Sequence, residues 1–153
     1  MDTLAKATTE TLGDLVLLNN DRCEGYEKAM NQTDEADLKQ LFQHLSDESR
    51  KFSSELKGLF PAGEEVPENK ETTNSGKLYR VWMDVKNALT TNDRKSVLSS
   101  CEYGEDVIKK AYEEALKHRE DLSSEVLSVL ERQYSVLLEA HNRVKHLRDS
   151  AKK

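Results

Sequence analysis

The side chains best suited to chemistry in this chain are one histidine and three glutamates that lie on or beside apolar helical faces. His141 belongs to a series of apolar positions spaced by three or four residues, which places side chains on one face of an α-helix. Glu27, Glu48 and Glu105 border the apolar faces of three other segments. Carboxylates and imidazoles together bind iron, manganese or zinc. The set therefore indicates either a metal site or a polar layer in which His141 bonds to a carboxylate.

Five helices would have to position these side chains. The hydrophobic pattern predicts long helices over about residues 9–31, 33–59 and 92–118 and from residue 124 onward, with a short helix over 78–89. Thr33 or Asp34 is expected to cap the second helix, and Asn92 the fourth. Residues 1–8 are expected to be frayed or an extension of the first helix. Both prolines, Pro61 and Pro67, fall in a predicted loop over 61–75.

The order of these elements predicts the fold class. A helical hairpin is followed by a long connection that contains the short helix, and then by a second hairpin. This order is typical of an all-α, ferritin-like four-helix bundle with one long crossover. A simple up-down bundle of five helices is the alternative. A chain of 153 residues has the length of one domain, so residues 1–153 are expected to fold as a single unit.

A complete di-metal centre is not predicted, because its motifs are interrupted. Such centres take a glutamate from each of two helices and a Glu-x-x-His motif from each of the other two. Here Lys51 stands where Glu48 would need a histidine, and Leu138 stands where His141 would need a glutamate. The residual set of Glu27, Glu48, Glu105 and His141 could hold one iron, manganese or zinc ion. Otherwise His141 belongs to a polar layer, no cofactor is bound, and no catalytic residue is assigned.

Two helical glycines have two explanations. Gly25 and Gly104 each cost about 1 kcal/mol relative to alanine within a helix. They either allow a neighbouring helix to approach closely or make room for water or an ion beside Glu27 and Glu105. Tyr79 and Trp82 are expected to anchor the short helix on the bundle.

The composition argues against several classes of protein. Hydrophobic residues make up 36% of the chain and charged residues 34%, which suits helices with one broad polar face. The net charge is −6 and the signs alternate, so no concentrated basic face for nucleic acid is expected. The longest apolar run, Leu15 to Leu18, cannot span a membrane. The beginning of the chain lacks a secretory pattern, so we expect a cytoplasmic protein, with Cys23 and Cys101 as buried thiols.

Several segments also resemble a known family. They are residues 21–29 with Gly25-Tyr26, residues 82–89 beginning Trp82-Met83, residues 101–106 beginning Cys101-Glu102, residues 132–134, residues 140–144 around His141, and residues 147–149. In combination they resemble a bacterial ferritin-like four-helix-bundle family of unknown function, over about residues 11–149. The resemblance implies a ferritin-like fold and a soluble bacterial protein. It implies no established catalytic or metal-binding residues.

The sequence therefore favours a non-catalytic interaction or stress-associated protein over an enzyme. The alternative is a metal-binding carboxylate and histidine bundle with oxidoreductase-type chemistry. We expect a monomer or a weak homodimer. Neither nucleic acid nor membrane is expected as a partner, and the sequence does not identify a protein partner.

Overall fold

The computed structural model describes residues 3–67 and 76–151, and within these ranges its regular secondary structure consists of helices, with no strand. A single 3₁₀ turn, Arg119–Asp121, lies between the last two helices. The five α-helices are α1 (Thr3–Gln32), α2 (Ala36–Lys57), α3 (Gly76–Thr90), α4 (Arg94–Lys117) and α5 (Ser124–Ser150). The prediction of an all-α fold is confirmed.

The beginning of α1 differs from the predicted start of the first helix. Residues 3–8 are helical and extend the first helix. The alternative prediction, that these residues are frayed, is wrong. Thr8 is buried, and its hydroxyl donates a 2.9 Å hydrogen bond to the carbonyl of Asp121. Packing against the turn before α5 therefore stabilises this end of α1, although the residues carry no strong apolar pattern of their own.

Two predicted helix caps were displaced along the chain. The side chain of Asp93, and not that of Asn92, accepts the backbone N–H of Ser96 at the start of α4. Asn92 instead has φ = 56°, a left-handed turn conformation that asparagine tolerates. Glu35 precedes α2, while the Thr33 hydroxyl accepts the N–H of Glu35 within the turn. Short polar side chains serve either as caps or in turns, which explains the shifts.

The predicted loop over 61–75 is described only in part. Residues 61–67 form neither helix nor strand, as expected. Residues 68–75 lie outside the described ranges. Among the described helices, none combines the length and the apolar character that crossing a bilayer requires.

The helices pair as two hairpins, α1 with α2 and α4 with α5, and α3 lies against α4 and α1. Two apolar clusters fill the interior. On α4, Cys101 belongs to one cluster and Ile108 to the other, and the buried Glu105 lies between them. The buried polar residues at the same level of α1 and α2 are Asn19, Arg22, Ser46 and Ser49. A polar layer therefore separates the two clusters.

Gly25 and Gly104 each face a side chain of α3. A Cβ atom on Gly25 would lie 2.0 Å from the indole ring of Trp82, and one on Gly104 would lie 3.0 Å from Val81 Cγ1. The close-approach explanation is therefore correct for both positions. Trp82 also packs edge-on against Tyr26 with ring centroids 4.9 Å apart, which confirms it as an anchor. Tyr79 is 69% exposed, so its predicted anchoring role is wrong.

Candidate functional site

The centre of the polar layer is Arg22, an arginine of α1 that is only 3% exposed. Its Nε donates to Glu105 Oε2 at 2.8 Å, and its Nη2 donates to Glu105 Oε1 at 2.7 Å. Two parallel bonds of this kind are the strongest geometry available to an arginine and a carboxylate. Because Glu105 is 2% exposed, solvent screens the pair little. Arg22 thereby joins α1 to α4.

Arg22 also joins both of these helices to α2. Nη2 donates to Glu48 Oε1 at 2.9 Å, and Nη1 donates to the Ser49 hydroxyl at 2.8 Å. The guanidinium thus contacts two carboxylates that approach from opposite hairpins. Glu48 is 10% exposed and lies at the edge of the layer, with the exposed His44 ring 3.7 Å away.

Hydrogen bonds extend the layer from Arg22 toward α5. The Ser49 hydroxyl donates to Asn19 Oδ1 at 2.9 Å, and Asn19 Nδ2 donates to the Tyr112 hydroxyl at 3.0 Å. That hydroxyl donates to Gln133 Oε1 at 2.6 Å. The Gln133 amide in turn donates to Glu55 Oε1 at 2.8 Å, and the exposed Arg132 pairs with the other oxygen of Glu55. One continuous chain of bonds therefore crosses α1, α2, α4 and α5.

Charge and burial shift the pKa values of the groups around Arg22. Burial alone would lower the pKa of Arg22, but Glu105 and Glu48 outweigh it and the pKa is raised. Burial, reinforced by the Glu105 carboxylate, raises the pKa of Tyr26, whose hydroxyl donates to Glu105 Oε2 at 2.9 Å. Burial raises the pKa of Glu48 despite Arg22. Burial followed by Glu105 also raises the pKa of the Cys101 thiol, so this cysteine is held protonated and unreactive.

The structure brings two of the four sequence-predicted candidates together. Glu48 and Glu105 share the Arg22 guanidinium, so they do lie in one central site. Glu27 is 53% exposed and forms an ion pair with Arg50 at 3.2 Å on the surface. Glu27 is therefore not part of the central layer.

His141 lies away from this layer, on the side where α5 faces α4. Its Nε2 is 3.8 Å from Glu102 Oε2 and 3.7 Å from Asp106 Oδ1. The imidazole is 14% exposed, so it does face carboxylates, but they are not the predicted Glu48 and Glu105. Arg148 pairs with Glu102, and Lys110 lies 3.0 Å from Asp106. These cations already balance the two carboxylates.

The buried face of α5 differs from the predicted face by one residue at two positions, which explains the displacement of His141. The buried face of α5 contains Leu130, Gln133 and Leu137, followed by Ala140 and Val144. The predicted face contained Tyr134 and His141 in place of Gln133 and Ala140. A helix returns to the same face after seven residues, whether the residue in between is three or four positions on. From Leu137 to Val144, the intermediate residue can therefore be Ala140 or His141. Hydrophobicity favours Tyr134 over Gln133, and the helical period alone does not decide between Ala140 and His141.

The sequence pattern did not indicate Arg22, Tyr112 or Gln133 as site residues. On α1 it placed Cys23 on the inner face, but Cys23 is only partly buried and Arg22 takes the inner position. One signal was present for Arg22, because it follows Asn19 by three residues and precedes Tyr26 by four. An arginine at such a position requires buried carboxylates on other helices, and Glu48 and Glu105 supply them.

The class defined by these observations is an all-helical protein whose long helices are joined by a buried polar layer centred on an arginine. The chain belongs to the family of the domain of unknown function DUF2383, whose model matches residues 7–118. The matched region includes Arg22, Glu48 and Glu105, whereas Gln133 lies beyond it. Comparison with curated proteins gives no match.

Proposed function

We propose that this chain is a ferritin-like four-helix bundle that acts by binding another molecule through its surface, without metal chemistry at its centre. The pairing of α1 with α2 and of α4 with α5, with α3 in the connection between them, supports the bundle. The state of the central carboxylates supports the absence of metal chemistry.

The bidentate pair between Arg22 and Glu105 is the observation that carries this proposal. Both oxygens of Glu105 bond to the guanidinium, and Oε2 also accepts the Tyr26 hydroxyl. In a carboxylate-bridged metal centre these oxygens would be the ligands. A guanidinium keeps its charge at any ordinary pH, so it does not yield its place by losing a proton. Here the protein's own cation balances the charge that a metal would otherwise balance.

The competing function is a metal-binding bundle with oxidoreductase-type chemistry, using iron, manganese or zinc. It would require Arg22 to leave Glu48 and Glu105. It would also need ligands beyond these two, since Glu27 and His141 have other partners. Metal binding in the intact protein distinguishes the two functions.

The test is anaerobic reconstitution with Fe²⁺, Mn²⁺ or Zn²⁺, followed by elemental analysis and thermal unfolding. We expect no stoichiometric ion on the parent protein and no rise in its Tm, since an ion that bound the folded state would raise the Tm. An ion bound stoichiometrically to the parent and lost in Glu105→Gln would overturn the proposal.

We further propose that the protein resides in the bacterial cytoplasm. Cys23 and Cys101 are both free thiols, and thiols stay reduced in that compartment. Fractionation of a bacterium that expresses the chain tests this point. Recovery in the periplasmic fraction would contradict it.

A further inference from the structure

The outer face of α3 carries exposed apolar side chains. Among the residues whose side chains the structure describes, the exposed large hydrophobic ones are Val66, Tyr79, Met83, Tyr103 and Leu138. Three of these five belong to one region. Tyr79 and Met83 are four residues apart on α3, and Tyr103 lies on the adjacent α4. Clustering of this kind marks an interaction surface, whereas single exposed apolar residues do not.

This helix forms a ridge between two grooves. On the α1 side, Tyr79, Trp82 and Met83 line a groove of about 460 Å³. On the α4 side, Arg80, Asp84 and Tyr103 line a second groove of about 330 Å³. A ridge flanked by grooves is the shape that a second helix can pack against.

The charges on the ridge fit a second copy of the same ridge. Arg80 and Asp84 are both exposed and four residues apart, and neither forms an ion pair within the described part of the chain. In a two-fold symmetric contact, if residue i of one copy contacts residue j of the other, residue j of the first copy also contacts residue i of the second. Two antiparallel α3 helices would therefore place Arg80 of each copy opposite Asp84 of the other. Parallel helices would instead bring like charges together.

The geometry points to the outer face of α3 as the contact surface of a homodimer, with the two-fold axis midway between Arg80 and Asp84 and two Arg80–Asp84 pairs across the interface. This inference rests on the proposed surface-binding function and identifies the partner as a second copy of the chain. The face consists of one helix of 15 residues with its neighbour Tyr103. An interface of that extent is at the small end of specific contacts. The dimer is therefore weak and dissociates on dilution.

Sedimentation velocity of the full chain, from low to high micromolar concentration, tests the proposal. We expect a concentration-dependent shift from monomer to dimer. Asp84→Arg places like charges opposite one another and should weaken the dimer at least about tenfold. The double variant Arg80→Asp with Asp84→Arg restores opposite charges in the reverse sense and should recover it. Both substituted positions are exposed, and thermal unfolding confirms that each variant is folded.

A matched pair of apolar variants locates the surface. Tyr79→Ser should abolish dimer formation, whereas Leu138→Ser, an exposed apolar change on α5, should leave it intact. The single tryptophan, Trp82, borders the same groove, so its emission should change with concentration in the parent but not in Tyr79→Ser. A parent that stays monomeric throughout, or a dimer unaffected by Asp84→Arg and Tyr79→Ser, overturns the inference. Neither result bears on metal binding, which the reconstitution experiment tests separately.

Discussion

Replacing Arg22 by methionine tests whether the polar layer depends on its central cation. Methionine retains an aliphatic stem of similar length but removes the charge and every hydrogen-bond donor. Glu105 would remain 98% buried, with Glu48 beside it and no cation between them. Removing one partner of a buried ion pair costs about 3–5 kcal/mol, because the remaining charge is left uncompensated. In a chain of this size each kcal/mol lowers the Tm by about 2–4 °C. We therefore expect the Tm to fall by about 6–20 °C.

The cost of Arg22→Met should depend on pH in a defined direction. Burial already raises the pKa of Glu48 in the parent, and Arg22 opposes that shift, so without the guanidinium the folded-state pKa of Glu48 rises further above its unfolded value. A carboxyl group whose pKa is raised in the folded state stabilises the fold at pH values below its unfolded pKa. This stabilisation is lost as the pH rises through the folded pKa. The destabilisation should therefore be largest near neutral pH and should shrink as the pH falls toward the unfolded glutamate value of about 4.3.

Urea unfolding of the parent and the variant, at neutral and mildly acidic pH, measures both effects. Arg50→Met is the matched control, because Arg50 is 53% exposed and its ion pairs with Glu27 and Asp47 lie at the surface. Pairs of that kind contribute about 0–1 kcal/mol. Arg22→Met with the stability of the parent, or with a cost that does not change with pH, would refute the assigned role of Arg22.

Three further predictions concern other parts of the structure. Glu105→Gln should destabilise the protein by several kcal/mol more than Glu48→Gln in the same urea assay. Glu105 accepts two hydrogen bonds from Arg22, whereas burial already raises the pKa of Glu48. Equal losses would contradict this ranking. Gly25→Ala should lower the Tm more than Gly104→Ala, since the added Cβ would lie 2.0 Å from the Trp82 ring. As a control, the Cβ added by Gly13→Ala meets nothing within 4 Å, so this variant should stabilise α1 by about 1 kcal/mol. His141→Leu should change the unfolding free energy by less than about 1.5 kcal/mol, because its carboxylate neighbours keep Arg148 and Lys110 as partners; a loss of several kcal/mol would show that His141 is integral to the core.

The helical architecture follows from local properties of the sequence. Apolar residues recur at helical spacing over each long segment, and this period is enough to predict the helices, their order and the position of the prolines between them. It also predicts that Glu48 and Glu105 lie near the interior, because both border apolar faces. Helix ends were less predictable. Asn92 and Asp93 can both cap a helix, and the choice between them depends on the turn that joins α3 to α4.

The tertiary structure alone decided which polar side chains occupy the centre. Arg22 and Cys23 are equally compatible with the inner face of α1, as are Gln133 and Tyr134, or Ala140 and His141, on α5. Hydrophobicity favours the second member of the first two pairs, but the structure buries the first. A buried guanidinium or amide is stable only where other helices present partners. The partners of Arg22 are Glu105 and Glu48, and a partner of Gln133 is Tyr112; all of them are distant in sequence. That information belongs to the packing of the helices and not to any one of them.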